Sequence, residues 1–342
     1  MLTDSMQVKE IGEQGLLKIL QRFCPPDIIG DDGAVLTTAA EKSLVVTTDV
    51  LIDKVHFSEI TTSPEDVGWR AAAANLSDLA AMGATPLGIT VGLGLPGETS
   101  VDWVEKLYQG MTQCLQQYNT PIVGGDIVRS PIISVAITAF GQVAPRLTIR
   151  RNQADLEDAI VITGYHGASR GGLELLLNPD LITNLSEDQK LILIKAHQRP
   201  KPRLDILPIL WEIVDSHSLT NICGMDSSDG LADAILQVCH SSQVGAKIQA
   251  TQIPLHPGMK PWLTPEQALE YALYGGEDFE LLLCLPKPAA SELVQKLGNG
   301  AAIIGTITNT SGDRDQVLLH DSSKETPDQV LNLSRGFQHF TN

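Results

Sequence analysis

Two neighbouring stretches decide the fold of the N-terminal half: residues 43–51 read SLVVTTDVL, and residues 63–83 read SPEDVGWRAAAANLSDLAAMG. The first is short and β-branched, which predicts a strand that ends in a polar tip. The second opens with a serine, a proline and two acids, the pattern of a helix N-terminus. It closes on a glycine, which predicts the helix end. A strand therefore leads into a helix, the alternation on which α/β proteins are built.

The alternation continues toward the C-terminus. Residues 86–95 are apolar and bounded by Pro and Gly, which predicts a second strand. Ser100 then caps a helix whose apolar residues recur at helical spacing. Residues 121–128 and 132–143 predict two more strands. Four strands with two helices between them fit an α/β sandwich with its helices on one face of the sheet.

A polar segment separates this pattern from a second one. Residues 146–158, rich in Arg, Asn and Asp, predict a linker, and the length of 342 residues favours two domains. After the linker, helices alternate with predicted strands at 159–164, 221–225, 246–253, 279–285 and 301–307. We therefore expect an N-terminal domain of residues 1–148 and a C-terminal α/β domain of residues 149–342.

Composition excludes several classes of protein. The 41 acidic and 24 basic residues give a net charge of −17, which repels nucleic acid and anionic membrane surfaces. No apolar run approaches the ~20 residues of a membrane span, and we expect no signal peptide because the first residues lack a basic and an apolar region. Five widely spaced cysteines without a CxxC pair predict reduced thiols in a cytoplasmic protein.

Acidic residues are concentrated beside Gly, Ser or Thr, mostly where predicted elements end. The clusters are GDDG at 30–33, TTD at 47–49, NLSD at 75–78, GGD at 124–126, DSSDG at 226–230 and GGED at 275–278. Each alone fits turn or capping chemistry. Together they offer the hard oxygen ligands that suit Mg²⁺ rather than Zn²⁺. A phosphate chain bound with Mg²⁺ is the ordinary reason for collecting so many.

The familiar nucleotide motifs give little further support. A Walker A loop is absent, and the GxGxxG match at 92–97 contains Pro96 and precedes the helix, which favours a plain turn over a dinucleotide site. Residues 164–172, GYHGASRGG, join a predicted strand to a helix N-terminus and stay open as a phosphate contact. His56 is either a core histidine or a ligand. A GxSxG elbow is also absent, so a serine hydrolase has no support.

Taken in order along the chain, these motifs resemble those of the thiamine-monophosphate kinases. The similar stretches are GDDGAVL at 30–36, TTDVLIDKVHF at 47–57, NLSDLAAMGA at 75–84, GGD at 124–126, HQRPKPR at 197–203, DSSDGLADA at 226–234 and GGEDFEL at 275–281. The resemblance implies an N-terminal domain whose sheet pairs with that of a second copy in a homodimer, and a C-terminal domain that closes over the site. It implies ATP and thiamine monophosphate as substrates, with direct transfer of the γ-phosphoryl group to give thiamine diphosphate.

The same resemblance implies a role for individual residues. Several Mg²⁺ ions would be held by Asp32, Thr47, Thr48, Asp49, Asp78, Asp126, Asp226 and Asp229. ATP would be contacted by Gly125, Asp126, Arg151 and Ser228, with Arg146 and Arg150 as alternatives to Arg151. Thiamine phosphate would be contacted by His56, Glu277 and Phe337. A covalent nucleophile is not implied. Ser227 stands where the family usually has leucine, and we expect it to point away from the metals.

Two other functions compete with this one. The first is another ATP-dependent enzyme of the wider superfamily, such as the aminoimidazole ribonucleotide synthetase type. Cys24 lacks a glycine-rich lysine loop beside it, which argues against a selenophosphate synthetase. The second is a non-catalytic Mg²⁺–nucleotide sensor, against which the apparently complete set of acids argues.

Overall fold

The computed structural model describes residues 6–25, 34, 36–181, 184–298, 300–309, 316–321, 328–333 and 336. Contacts divide the chain into two compact units. The first comprises Met1–Leu79 with Ala84–Ala144, and the second Ala80–Gly83 with Pro145–Asn342. In the part of the chain that is described, no helix is both long and apolar enough to cross a membrane.

Helices and strands alternate along both units. The helices are α1 (Val8–Leu20), α2 (Pro64–Ala81), α3 (Val101–Gln116), α4 (Ala168–Leu177), α5 (Glu187–Gln198), α6 (Leu207–Ser216), α7 (Leu231–Ser242), α8 (Pro265–Tyr274) and α9 (Lys287–Leu297). The strands are β1 (Ser43–Ile52), β2 (Thr85–Leu95), β3 (Ile122–Arg129), β4 (Ser134–Val143), β5 (Ala159–Ile162), β6 (Cys223–Asp226), β7 (Gly245–Gln249), β8 (Leu281–Leu285), β9 (Ala302–Thr308), β10 (Val317–His320) and β11 (Gln329–Val330).

The N-terminal sheet has the predicted four strands, in the order β1-β4-β2-β3 among the described residues. Strands β2 and β3 run parallel, and the other neighbours run antiparallel. The predicted helix starts are confirmed. The Ser63 hydroxyl accepts the Asp66 N–H at 3.2 Å, and the Ser100 hydroxyl accepts the Trp103 N–H at 3.1 Å. The mixed α/β class with two sheet-containing units is therefore confirmed.

One local expectation about strand β1 was wrong. Residues 47–49 were expected at the polar tip of the strand, but they lie in its middle, because β1 pairs with β4 over its whole length. The glycines and acid at 124–126 lie inside β3. The β2–β3 register shifts just before them, between Ile89 and Thr90.

Helices α2 and α3 cross at very short range, and a glycine on each makes this possible. A Cβ on Gly68 would stand 1.9 Å from the carbonyl oxygen of Leu107, and one on Gly110 would stand 1.8 Å from that of Glu65. Both distances are far inside van der Waals contact, so neither position accepts a side chain unless the helices separate. The crossing therefore depends on these two glycines.

The C-terminal sheet has the order β11-β10-β7-β9-β5-β8-β6 among the described strands. Strands β5, β6 and β8 are buried along their whole length, and β5 and β8 are accordingly apolar throughout, whereas β6 ends in Asp226. Sequence reasoning located the strands from β5 to β9 but did not predict α1, β10 or β11. The five cysteines are all free thiols, and four of them are buried.

Candidate functional site

Two of the predicted site residues, Asp32 and Phe337, lie outside the described residues. The others belong to one or the other unit. In the N-terminal unit they are Thr47, Thr48, Asp49, His56, Asp78, Gly125 and Asp126, and in the C-terminal unit they are Arg151, Asp226, Ser228, Asp229 and Glu277.

Strand β1 and helix α2 bring three of these residues together. The Thr47 hydroxyl donates a hydrogen bond to the Asp78 carboxylate. The backbone N–H of Asp49 donates to the side-chain oxygen of Asn75 at 3.2 Å, one helical turn before Asp78. Asn75 is fully buried, and its own amide donates to the Ala71 carbonyl at 3.0 Å. The NLSD motif thus faces the TTD motif, and oxygen atoms from both collect at the edge of the sheet.

The two faces of this sheet carry different predicted ligands. Side chains alternate along a strand, so Thr47 and Asp49 lie on the face toward α2, which we call the helix face. Thr48 lies on the opposite, open face, where its hydroxyl bonds to that of Thr138 at 2.8 Å. Asp126 pairs with Gly92 and lies on the open face too. The predicted ligands are therefore divided between the two faces.

Asp49 and Asp126 are also at opposite edges of the sheet. The register runs from Asp49 through Ile137 and Val91 to Gly125, the neighbour of Asp126. Three interstrand spacings separate the edges, about 14 Å in all. Ligands of one Mg²⁺ ion lie roughly 2 Å from it. One chain therefore does not bring these two carboxylates to the same ion.

Position 125 requires a glycine for a structural reason, apart from any contact with ATP. A Cβ at this position would stand 2.2 Å from the carbonyl oxygen of Val91 on the neighbouring strand. Glycine is therefore required by strand pairing, and it leaves the backbone beside Asp126 uncovered. Both Gly125 and Asp126 are exposed.

His56 lies in a tight turn after β1. Its Nδ1 accepts the backbone N–H of Ile52 at 3.0 Å. In the neutral ring the proton must then be on Nε2. The turn thus fixes the tautomer and gives the half-buried ring a donor nitrogen suited to a phosphate oxygen.

In the C-terminal unit, the DSSDG motif connects β6 to α7. Asp226 ends the strand and is 2% exposed, and its carboxylate accepts the Ser228 hydroxyl at 3.1 Å. Asp229 is exposed just before Gly230, whose φ of +111° opens the helix. Ser227 points into the interior, where its hydroxyl lies 2.9 Å from Nε2 of His166. A polar pair thus stands where leucine was expected.

The structure distinguishes the three candidate arginines. Arg146 pairs with Asp215 at 2.9 Å on the surface, and Arg150 is a strand-like residue whose backbone bonds to Ile222 and Gly224. Arg151 donates to the Gln237 side chain at 2.6 Å. Gln237 in turn donates to Asp233 in the first turns of α7. This places Arg151 beside the helix that follows Asp229, and its contact with ATP stays a prediction.

At the candidate phosphate contact, residues 164–172, two backbone N–H groups already bind a side chain of the protein. Asp278 accepts the backbone N–H of Gly167 at 2.7 Å and that of Ser169 at 2.9 Å, at the start of α4. Burial raises the pKa of Asp278 to about 7, although these two N–H groups oppose the shift. The helix N-terminus that the sequence offered to a phosphate thus holds an internal carboxylate.

A buried ion pair supports the same region and was missed by sequence reasoning. Arg203 donates to the Glu280 carboxylate and, at 2.9 Å, to the Thr163 carbonyl. The Thr163 hydroxyl also donates to Glu280 at 2.6 Å. Burial raises the pKa of Glu280, and the charge of Arg203 opposes that shift. Arg203 is the last residue of the HQRPKPR motif. One role of that motif is therefore to hold Glu280, the residue directly before β8.

Within the described residues, no three His, Cys, Asp or Glu side chains stand together as a metal site. The oxygen donors form smaller groups instead: Thr47 with Asp78, and Asp226 with Ser228. In both groups the atoms brought together are carboxylate and hydroxyl oxygens. The donor chemistry is that of a hard cation such as Mg²⁺.

Comparison with known proteins defines the class first. Residues 30–143 match the AIR synthase related protein, N-terminal domain, and residues 156–317 match the C-terminal domain of the same family. The fold is thus that of a two-domain AIR synthase related protein. The thiamine-monophosphate kinase of Synechococcus elongatus is 49% identical over 334 residues, 98% of each chain. Within its class, the chain belongs to the thiamine-monophosphate kinase family.

Solved structures agree with this assignment. The crystal structure of thiamine-monophosphate kinase from Stenotrophomonas maltophilia K279a is 32% identical, with a TM-score of 0.75 over 91% of this chain and 97% of that one. A structure of AaThiL complexed with AMPPCP and TMP is 30% identical, with a TM-score of 0.69 over 96% of this chain and 99% of that one.

Proposed function

We propose that this protein transfers the γ-phosphoryl group of ATP directly to thiamine monophosphate, which gives thiamine diphosphate and ADP. The observation that carries the proposal is the similarity, over 96% of the chain, to a protein complexed with AMPPCP and TMP. The acid-rich motifs of both units support it, because phosphoryl transfer requires charge neutralisation and alignment and does not require a protein nucleophile.

We propose that the acids hold several Mg²⁺ ions around the triphosphate. The proposed ligands are Asp32, Thr47, Thr48, Asp49, Asp78, Asp126, Asp226 and Asp229. Bound Mg²⁺ supplies positive charge that lets two anionic phosphates approach each other. The hydrogen bond from Thr47 to Asp78 supports this assignment, since it holds that carboxylate beside the strand that carries Asp49.

The remaining residues bind and orient the substrates in this proposal. The Gly125 backbone, Asp126, Arg151 and Ser228 contact ATP, while His56, Glu277 and Phe337 contact thiamine monophosphate. Two hydrogen bonds fix these ATP-binding side chains: Ser228 is held by Asp226 at the end of β6, and Arg151 is held by Gln237 on α7. His56 donates through Nε2 to the phosphate of the acceptor.

We further propose a homodimer in which the two open sheet faces meet. Four exposed apolar side chains lie on this face: Leu44 (54% exposed), Val46 (53%), Val50 (44%) and Val128 (54%). A face this apolar indicates an interface.

The two domains have different roles in this proposal. The N-terminal domain, residues 1–148, binds ATP with Mg²⁺ and dimerises, and the C-terminal domain, residues 149–342, closes the active site. The division of the contacts at Ala144 and Pro145 supports a boundary in this region. The free cysteines support a cytoplasmic location, where thiols stay reduced.

Replacing Val46 by aspartate is expected to convert the dimer into a monomer. Two buried, unpaired carboxylates would face each other across the two-fold interface, a costly arrangement. Light scattering at micromolar concentration measures the mass. Leu191→Asp, which changes an exposed leucine on α5, is the control and should leave the dimer intact. A wild-type monomer, or a dimeric Val46→Asp variant, would contradict the proposed interface.

One assay separates the proposed function from its competitors. The protein is incubated with ATP, Mg²⁺ and thiamine monophosphate, and the products are separated by chromatography. A thiamine-monophosphate kinase forms thiamine diphosphate and ADP. Another superfamily enzyme leaves thiamine monophosphate unchanged but turns over with its own acceptor, and a nucleotide sensor binds ATP without turnover.

A further inference from the structure

The loop at 275–280, GGEDFE, has a backbone that must be held in place. Within it Gly276, Glu277 and Phe279 have φ values of +68°, +58° and +52°. For residues with a side chain, this left-handed conformation is unfavourable and persists only where surrounding contacts impose it. The contacts that impose it here come from segments more than 40 residues away in sequence.

Asp278 makes the strongest of these contacts. Each of its carboxylate oxygens accepts one backbone N–H at the start of α4, from Gly167 and from Ser169. Two N–H groups at a helix N-terminus favour the ionised carboxylate, and they oppose the effect of its burial. Gly167 is itself left-handed, with φ of +88°, and a Cβ there would stand 2.8 Å from the N of Ala272. We call this contact between Asp278 and the start of α4 the anchor. Neither the loop nor the start of the helix has room to change without disturbing it.

The neighbouring Glu277 is oriented by the same anchor. Its N–H donates to the Ser228 carbonyl at 2.7 Å, and its carboxylate lies 3.6 Å from Nδ1 of His197. That Nδ1 lies 3.2 Å from the hydroxyl of Ser169, whose N–H binds Asp278. Contacts thus connect Glu277 to Asp278 through His197 and Ser169, and the contact between Glu277 and His197 is the longest of them.

Burial separates the roles of these residues. His197 is 3% exposed and Ser169 is 1% exposed, whereas the Glu277 side chain is 35% exposed. Of these three, Glu277 can meet a solute, whereas His197 and Ser169 can only hold it. Asp278 is half-buried. His197 also begins the HQRPKPR motif, to which the proposed reaction assigns no direct part.

We propose that Asp278 is a positioning residue that, through Ser169 and His197, fixes the carboxylate of Glu277 against the thiamine monophosphate substrate. This role rests on the proposed function and deepens it. Asp278 itself does not touch the reacting atoms. A change at Asp278 is therefore expected to affect the binding of thiamine monophosphate and not the binding of ATP.

The test compares the KM values for both substrates in Asp278→Asn. Asparagine offers one acceptor oxygen to two N–H donors and turns its own NH₂ toward one of them, so the loop should shift. We expect the KM for thiamine monophosphate to rise about tenfold, since small displacements of an orienting group cost that much or more. The KM for ATP should stay within about twofold of wild type, a split that a purely structural role would not produce.

Two further variants keep the test decisive if Asp278→Asn folds poorly. Ser169→Ala retains the N–H to Asp278 and removes the hydroxyl beside His197, so it should raise the same KM by a smaller factor. Ser186→Ala removes the capping box of α5, a comparable helix start in the same unit, and should lower Tm without changing either KM.

The outcomes are distinct. If Asp278→Asn and Ser169→Ala keep the wild-type KM for thiamine monophosphate, or if both KM values rise together, the positioning role is overturned and the proposed function stands. If the wild-type protein forms no thiamine diphosphate, the proposed function fails, and this role fails with it.

Discussion

Replacing Asp126 by asparagine is expected to lower kcat by roughly 100-fold or more while Tm stays close to that of wild type. Asparagine keeps the shape of the side chain but removes the charge that holds Mg²⁺ against phosphate. Residues that only support metal ligands typically cost about 10–100-fold when changed, so a direct ligand should cost at least as much. The exposure of Asp126 predicts a stability change within ~0.5 kcal/mol.

Asp215→Asn is the matched control for this variant. Asp215 is also exposed, and its surface pair with Arg146 should contribute little. Steady-state kinetics and thermal melting of both variants are measured side by side. An unchanged kcat in Asp126→Asn would make Asp126 an ordinary strand residue, and the other proposed ligands would lose support with it.

The same metal hypothesis predicts the response to a chelator. Turnover should stop in excess EDTA and return when Mg²⁺ is added above the chelator concentration. Without Mg²⁺ the carboxylates and the phosphates are all anionic and repel each other. Asp126→Asn should need more Mg²⁺ than wild type for half-maximal activity. Full turnover in EDTA would exclude a role for Mg²⁺.

Replacing Gly110 by alanine is expected to lower the free energy of unfolding by about 1–3 kcal/mol, the usual cost of overpacking a tight contact. The new methyl group would stand 1.8 Å from the Glu65 carbonyl oxygen, and backbone cannot turn aside as a side chain can. The sign makes this prediction sharp, since alanine in place of a helical glycine normally stabilises by roughly 0.5–1 kcal/mol.

Gln109→Ala supplies the comparison for Gly110→Ala. Gln109 is the exposed neighbour on α3, and its replacement should change stability by less than ~0.5 kcal/mol. Urea unfolding at 25 °C measures both variants. A Gly110→Ala protein as stable as wild type would mean that α2 and α3 do not cross at the observed distance.

Much of the fold could be predicted because local signals agree with the tertiary structure. The helix from Pro64 to Ala81 has its cap, its proline and its acids in place, and the sheet strands are long and apolar. Helix α1 was missed because glycines interrupt its pattern, and Gly12 is in a left-handed conformation. Strands β10 and β11 are too short, at four and two residues, to give a clear periodic signal.

The candidate site was predictable as a set of residues but not as an arrangement. Sequence reasoning collected Asp49 and Asp126 as ligands, yet their faces depend on strand order and register, which the sequence does not state. Strand β1 was located to within one residue, but residues 47–49 were taken for its tip, because pairing with β4 and not residue polarity sets the strand length. Asp278 was collected only as a member of the GGED cluster, since its partners lie about 110 residues earlier in the chain.

Following the γ-phosphoryl group tests the central claim most directly. The protein is incubated with Mg²⁺, thiamine monophosphate and ATP labelled in the γ-phosphate, and the label is then measured in thiamine diphosphate, inorganic phosphate and the protein itself. Direct transfer predicts label in thiamine diphosphate in a 1:1 ratio with ADP, and none on the protein. Label that appears as inorganic phosphate or as a phosphorylated protein, without labelled thiamine diphosphate, would contradict the account.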